Sequence, residues 1–260
     1  MGGLDRDGPP LEVRANFADI FLSMKATNWE FTNRALVFGL IFGFTFPVYF
    51  FDHENSTAVL ANWLAGRHQM NADRLAQILF GCAAFLLAAA ALIRTWASAY
   101  LQAEVVYAPE VKTQALVADG PYRRVRNPLY FANVVMAIAL GTMMSRTGFL
   151  LAVAAMLVFC YRLILREEAD LRATQGEQYE RYRSAVPRLL PSLWPRIVSA
   201  GRQPRWGAGF KAESWYWGFA AALLAFAITL KLWLFFVILA ASVILLWVST
   251  VVFRKKSTSA

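Results

Sequence analysis

Charge is scarce in this sequence, and cysteine and histidine are scarcer. Of 260 residues, 17% are Asp, Glu, Lys or Arg and 58% are hydrophobic, with a mean hydropathy of +0.43. Soluble domains carry about a quarter charged residues, so an ordinary soluble make-up is excluded at the outset. The two cysteines, Cys82 and Cys160, lie inside apolar runs, away from any Cys or His at ligand spacing. This argues against a disulfide or metal site and leaves small core residues as the expectation. The two histidines, His53 and His68, share one polar stretch. No strand followed by a glycine fingerprint is present, so no dinucleotide-type soluble domain is expected. Residues 1–12 are polar, mixed in charge and without an apolar core. No cleavable signal peptide is expected, and the first hydrophobic helix is expected to act as the insertion signal.

What is abundant is long apolar runs, and a bilayer span takes about 20 such residues. Residues 13–28 place Phe17, Ile20, Phe21 and Met24 at helical spacing and read as an amphipathic helix on the membrane surface. A first span is expected at 35–51, kinked or ended by Pro47. Residues 52–73 read as a polar connection. A second span, 75–99, is broken only by Arg94 and anchored by Trp96 and Tyr100. A third covers 128–144. A fourth covers 149–165 and continues as a helix into water through Arg166, Glu167, Glu168 and Arg172. Residues 215–253 hold one charge, Lys231, and at about 1.5 Å per residue are too long for one span. Two spans turning near Lys231 are expected, although neither Gly nor Pro marks the turn. The fold class is therefore all-α, a polytopic membrane helical bundle of about six transmembrane helices. Four segments follow: an N-terminal 1–34, two spans in 35–100, a core in 101–195, and a basic linker with a C-terminal hairpin in 196–260.

The net charge of +9 raises the question of nucleic acid, but its placement answers to the positive-inside rule instead. Lys112, Arg123, Arg124 and Arg126 follow the second span. Eight basic residues from Arg172 to Lys211 follow the fourth, and Arg254, Lys255 and Lys256 end the chain. The opposite turns hold only Arg67, Arg74, Arg146 and Lys231. Both termini and residues 101–127 are thus expected on the cytoplasmic face. The expected location is multi-pass, in the inner membrane of a bacterium or the endoplasmic reticulum of a eukaryote.

Two polar constellations fall on that face. The first runs over residues 114–130. Asp119-Gly120-Pro121 is a turn signal, and Asn127 before Pro128 reads as an N-cap with proline in the first helical position. The arginines between them either anchor the span to headgroups or, with the helix N-terminus, meet an anionic ligand. The second holds Arg162, Arg166, Glu167 and Glu168. Arg162 and Arg166, four apart, put two like charges on one helix face, which calls for a lipid phosphate, a carboxylate or a nearby acid. Simple snorkelling accounts for them equally well. Glu168 reads as an exposed partner of Arg172, whereas Glu167 points elsewhere and has no local partner, which marks it as a functional candidate.

These residues resemble the signature of the isoprenylcysteine carboxyl methyltransferase and phospholipid methyltransferase group of integral membrane enzymes. The resemblance lies in Leu116-Val117, Gly120-Pro121-Tyr122 and the run 126–130. It resumes in Glu167-Glu168, Gly176, Tyr179, Tyr182, Val186-Pro187-Arg188 and Pro191. It covers 114–191, under a third of the chain, in two separated motifs. It implies a cytoplasmic site for S-adenosylmethionine, with contacts falling on Tyr107, Gln114, Leu116, Val117, Tyr122, Arg126, Asn127, Pro128, Leu129, Tyr130 and Glu167. Asn127 departs from the group's usual histidine, and an amide cannot titrate. The group's substrate-side arginine falls on Leu163, so Arg162 or Arg166 is expected to replace it beside Glu167. The expected partner is a lipid or lipidated substrate from the bilayer. Two other readings stay open: an NADPH-dependent reductase of sterol-like lipids, and a non-enzymatic lipid-binding protein.

Overall fold

The computed structural model describes residues 24–107 and 118–258, and side chains over 24–101 and 118–245. Residues 13–23 of the expected surface helix lie outside the described residues, as do the candidate contacts Gln114, Leu116 and Val117 and the side chain of Tyr107.

Helix α1, Asn28–Thr32, starts in a capping box. Thr27 Oγ1 accepts from the Glu30 N–H at 3.2 Å, and Glu30 Oε2 accepts from the Thr27 N–H at 2.6 Å. Helix α2, Arg34–Thr45, gives way at Pro47 to a 3-10 turn over Pro47–Phe50, because proline has no N–H to continue the α ladder. The connection expected at 52–73 is largely helical. Asn55 accepts from the N–H groups of Thr57 and Ala58 and so caps α3, Ser56–His68. Helices α4 (Ala72–Tyr107), α5 (Pro128–Gly141) and α6 (Arg146–Ala185) form the centre. A short α7, Trp206–Ala212, leads into the hairpin of α8, Ser214–Thr229, and α9, Leu232–Thr258. The turn before Lys231 is made by Leu230 in the left-handed region at φ 53°. No strand occurs among the described residues, only an isolated bridge between Asn55 and Ser145.

Two helices are long and apolar enough to cross a membrane, Ala72–Leu101 and Arg146–Ala185. Four shorter apolar stretches accompany them: Arg34–Phe50, Pro128–Gly141, Ser214–Thr229 and Leu232–Leu245. Helix α4 is the hub, packing against α3, α5, α7 and α8, while α6 packs on α5 and α2. Its inner face is mostly alanine (Ala83, Ala84, Ala90, Ala91 and Ala97 are buried), and small side chains let helix backbones approach closely in lipid. Large apolar residues such as Phe85, Leu150, Val158 and Ile228 face outward. Cys160 is a buried core residue as expected, but Cys82 lies on the exposed side of α4, a correction that periodicity along a wholly apolar helix could not supply.

Candidate active site

The site is built where residues 118–127, just before α5, meet the end of α6 and the segment that follows it. Gly120 begins a 3-10 turn, Gly120–Arg123, at φ +60°, and a Cβ there would run into the Tyr100 ring, so glycine is the residue that fits. Asp119, 1% exposed, accepts from Ser199 Oγ at 2.6 Å and from the N–H groups of Ala200 and Arg202. The Arg126 N–H donates to the Pro187 carbonyl, and the N–H groups of Ser192 and Arg196 donate to the carbonyls of Arg124 and Arg123. The Tyr182 hydroxyl donates to the Tyr122 carbonyl at 2.9 Å. The two sequence motifs are therefore clamped together by main-chain bonds.

Gly176 makes that clamp possible. Its φ of 52° and ψ of −128° break α6 where no residue with a Cβ sits comfortably. The chain then folds back so that Tyr179, Tyr182 and Val186 pack on Leu171, Ala118 and Ile197. Arg172 crosses the kink to Glu180 at 2.7 Å. The expected Glu168–Arg172 surface pair does not form. Instead Glu168 is 3% exposed, because it faces the returning segment that helix periodicity alone could not place. It pairs with Arg126 at 3.0 Å and Arg188 at 2.9 Å, and Arg188 also donates to the Tyr161 hydroxyl at 2.8 Å. Two guanidiniums against one carboxylate leave this cluster with a positive surplus. Asn127 sits at the N-cap position, but its side chain does not cap α5. Its Nδ2 donates to Glu168 Oε1 at 3.3 Å and to the Arg188 carbonyl at 3.0 Å.

Glu167 finds its partner on another helix: the Tyr130 hydroxyl donates to its Oε1 at 2.6 Å. Tyr130, Pro128 and Tyr122 are buried, and Leu129 packs on Tyr122 and Ala97. Burial, reinforced by the Glu167 charge, pushes the Tyr122 phenol well above its usual value and keeps it neutral. The arginine pair is tied to the N-terminal segment. Arg162 meets Glu30 at 2.8 Å, the nearby-acid case, and its guanidinium holds the Glu30 carboxyl below the usual range. Arg166 donates to the Ala26 carbonyl and Asn28 Oδ1 and stacks over Phe31. Leu163, where the resemblance set an arginine, is fully buried in the core. The structure thus brings Tyr122, Arg126, Asn127, Pro128, Leu129, Tyr130 and Glu167 to one end of the bundle. Arg162 and Arg166 lie on the same helix, against α1.

The family model for phospholipid methyltransferases matches residues 76–178. That segment is similar to the phospholipid methyltransferase family. It takes in α4, the clamped turn, α5, and α6 to just beyond the Gly176 kink. Protein-S-isoprenylcysteine O-methyltransferase of Schizosaccharomyces pombe is 36% identical over 92 residues, 34% of this chain and 38% of its own. The cobalt-zinc-cadmium resistance protein CzcN of Cupriavidus metallidurans is 25% identical over 137 residues, 53% of this chain and 60% of its own. The nickel-cobalt-cadmium resistance protein NccN of Alcaligenes xylosoxydans xylosoxydans is 24% identical over 137 residues, 53% and 61%. The match therefore spans about three fifths of the length of the first two relatives. No solved structure matches to a significant degree.

Sequence reasoning undervalued Asp119, Glu168 and Arg188, and it passed over the pair Arg94 and Glu213. For Arg94 the signal was present: a charge inside an apolar span requires a buried partner. Glu213, just before an apolar run, was the acid available to provide one.

Proposed function

We propose that this chain is an integral membrane methyltransferase that uses S-adenosylmethionine and acts on a lipid or lipidated acceptor drawn from the bilayer. The observation that carries the reading is the bond from Tyr130 to Glu167, two separated motifs of the family segment meeting at one end of the bundle. The residues there suit the cofactor's chemistry. The Glu167 carboxylate would meet the ammonium of the methionine part, the positive surplus around Arg126 would favour its carboxylate, and Tyr122 and Tyr130 offer aromatic faces to a cation. The bound cofactor supplies a methyl group on a sulfonium, displaced in line so that the carbon–sulfur bond breaks as the bond to the acceptor forms.

The chain's own work is then alignment and exclusion of water. The clamp of 119–127 onto 187–202 closes the water side of this region, and α5 and α6 face it from the apolar side. An amine acceptor would first have to lose a proton, and neither histidine stands by. Asp52 and Asn55, flanking His53, bond to Thr147, Thr142 and Met144 at the α5–α6 turn, about 21 Å along α5 from Asn127. His68 ends the helix that precedes the opposite end of α4. A carboxylate acceptor needs no base and is the better fit, and the name of the Schizosaccharomyces pombe relative points the same way. In this reading Arg166 keeps the substrate-side role. Its close partners are neutral, with Asp170 4.0 Å away, whereas the Arg162 charge is met by Glu30. The two long helices and four shorter apolar ones make six spans, with the site and both termini cytoplasmic.

Calorimetric titration of the purified protein in nanodiscs tests the reading. S-adenosylmethionine should bind the wild type, and Glu167→Gln should weaken it by about ten- to a hundred-fold, the worth of one charge-assisted bond. Binding of NADPH in its place, or equal affinity in both proteins, would remove the proposal.

A further inference from the structure

A second polar cluster lies inside the bundle, on a face of α5 about 60–100° around the helix from the one that meets Glu167. Arg94, from the middle of α4, sends Nε to Glu213 Oε2 at 2.6 Å and Nη2 to Oε1 at 3.2 Å. Its third nitrogen, Nη1, reaches Asn133 Oδ1 at 2.7 Å and the Leu129 carbonyl at 3.3 Å. Ser98 Oγ donates to Glu213, and the Tyr216 hydroxyl donates to Asn133 Oδ1. The guanidinium lies 4.3 Å from the Tyr216 ring centre. The side chains of Arg94 and Glu213 are 15% and 5% exposed, so the pair is shielded from water as well as from lipid.

We infer that Arg94, held by Glu213 from the C-terminal hairpin, is a positioning residue that sets the first turn of α5 and with it the Tyr130–Glu167 pair. Leu129 and Asn133 stand four apart, on one face of α5, and Arg94 grips both. Tyr130, one residue on, points about 100° away toward Glu167. Holding one face of the turn by directed bonds therefore fixes the rotation of the other. Apolar packing could join the hairpin to the core equally well, since replacing a buried ion pair by hydrophobic residues is often neutral for stability. It would hold that rotation less sharply, because apolar contacts are not directed as hydrogen bonds are. Glu213 lies beyond the family segment, which ends at residue 178. The hairpin is thereby made part of the site rather than an added anchor.

The inference rests on the proposed cofactor site but can be read apart from it. The full chain in nanodiscs is compared with Arg94→Met/Glu213→Leu, and with Arg94→Lys should the double variant fail to fold. The pair-deleted protein should keep its thermal midpoint, yet amide hydrogen exchange over residues 128–136 should accelerate by about tenfold or more while α9 is unchanged. Its S-adenosylmethionine affinity should fall by about tenfold. Arg94→Lys keeps the charge and loses the fork, and should show the same local acceleration to a lesser extent. Wild-type exchange over 128–136 in a folded variant overturns the inference. Accelerated exchange in a protein whose wild type binds no S-adenosylmethionine leaves the positioning role standing and removes the methyltransferase reading.

Discussion

Glu168→Gln isolates one buried charge. Among the described residues, the carboxylate is the only acid paired with Arg126, whose side chain is 8% exposed, and with Arg188, 25% exposed. Glutamine keeps the shape and one acceptor for Asn127 but leaves two guanidiniums without counter-charge. Breaking a buried pair from one side costs about 3–5 kcal/mol. Arg188 can relax toward water, so the lower end applies, about 3 kcal/mol out of a typical total of about 5–15. Thermal unfolding should show a midpoint lowered by about 6–12 °C. The neighbouring Glu167→Gln keeps an acceptor for the Tyr130 hydroxyl, loses only the charge assistance of that bond, and should cost about 1 kcal/mol or less. The two adjacent acids are thus expected to separate, Glu168 governing stability and Glu167 cofactor affinity. Arg126→Met combined with Glu168→Met should recover part of the loss, since it removes charge on both sides. A Glu168→Gln protein within about 0.5 kcal/mol of wild type, the range of ordinary surface changes, would refute the buried-cluster argument.

Gly176→Ala forces a side chain onto φ 52° and ψ −128° and should destabilise by about 1–3 kcal/mol, with protease cleavage near 176–186 as the local readout. The Glu30 carboxyl, held low chiefly by Arg162, contributes stability that is full above its unfolded pKa of about 4.3 and is lost as pH falls through the lower folded value. The midpoint difference between wild type and Glu30→Gln should therefore be present at pH 7, shrink as pH falls below about 4.3 and vanish below the lowered folded value; a constant difference would deny the pair its role. Leu230→Gly relieves a left-handed leucine at the hairpin turn and should raise stability by up to about 1 kcal/mol, whereas Leu230→Val should lower it.

The helical class was readable from the chain because a helix satisfies its backbone hydrogen bonds within the segment, the form that long apolar runs favour. Positions of the apolar helices, the stop at Pro47 and the turn near Lys231 followed from hydropathy and proline chemistry alone. Asn127-Pro128 marked the start of α5, and Gly120 and Gly176 stood where the backbone needed a positive φ. The pairing of polar groups was settled only in three dimensions. Glu168 looked exposed because its helix was read as straight, but the kink at Gly176 brings Arg188 and Arg126 onto it. Asn127 looked like a cap until its amide found Glu168. Arg94 declared that a partner must exist without saying which, since Glu213 is 119 residues away along the chain. Local sequence fixes which backbone conformations are cheap. Which charges meet depends on how helices pack across large separations, and only the folded bundle supplies that.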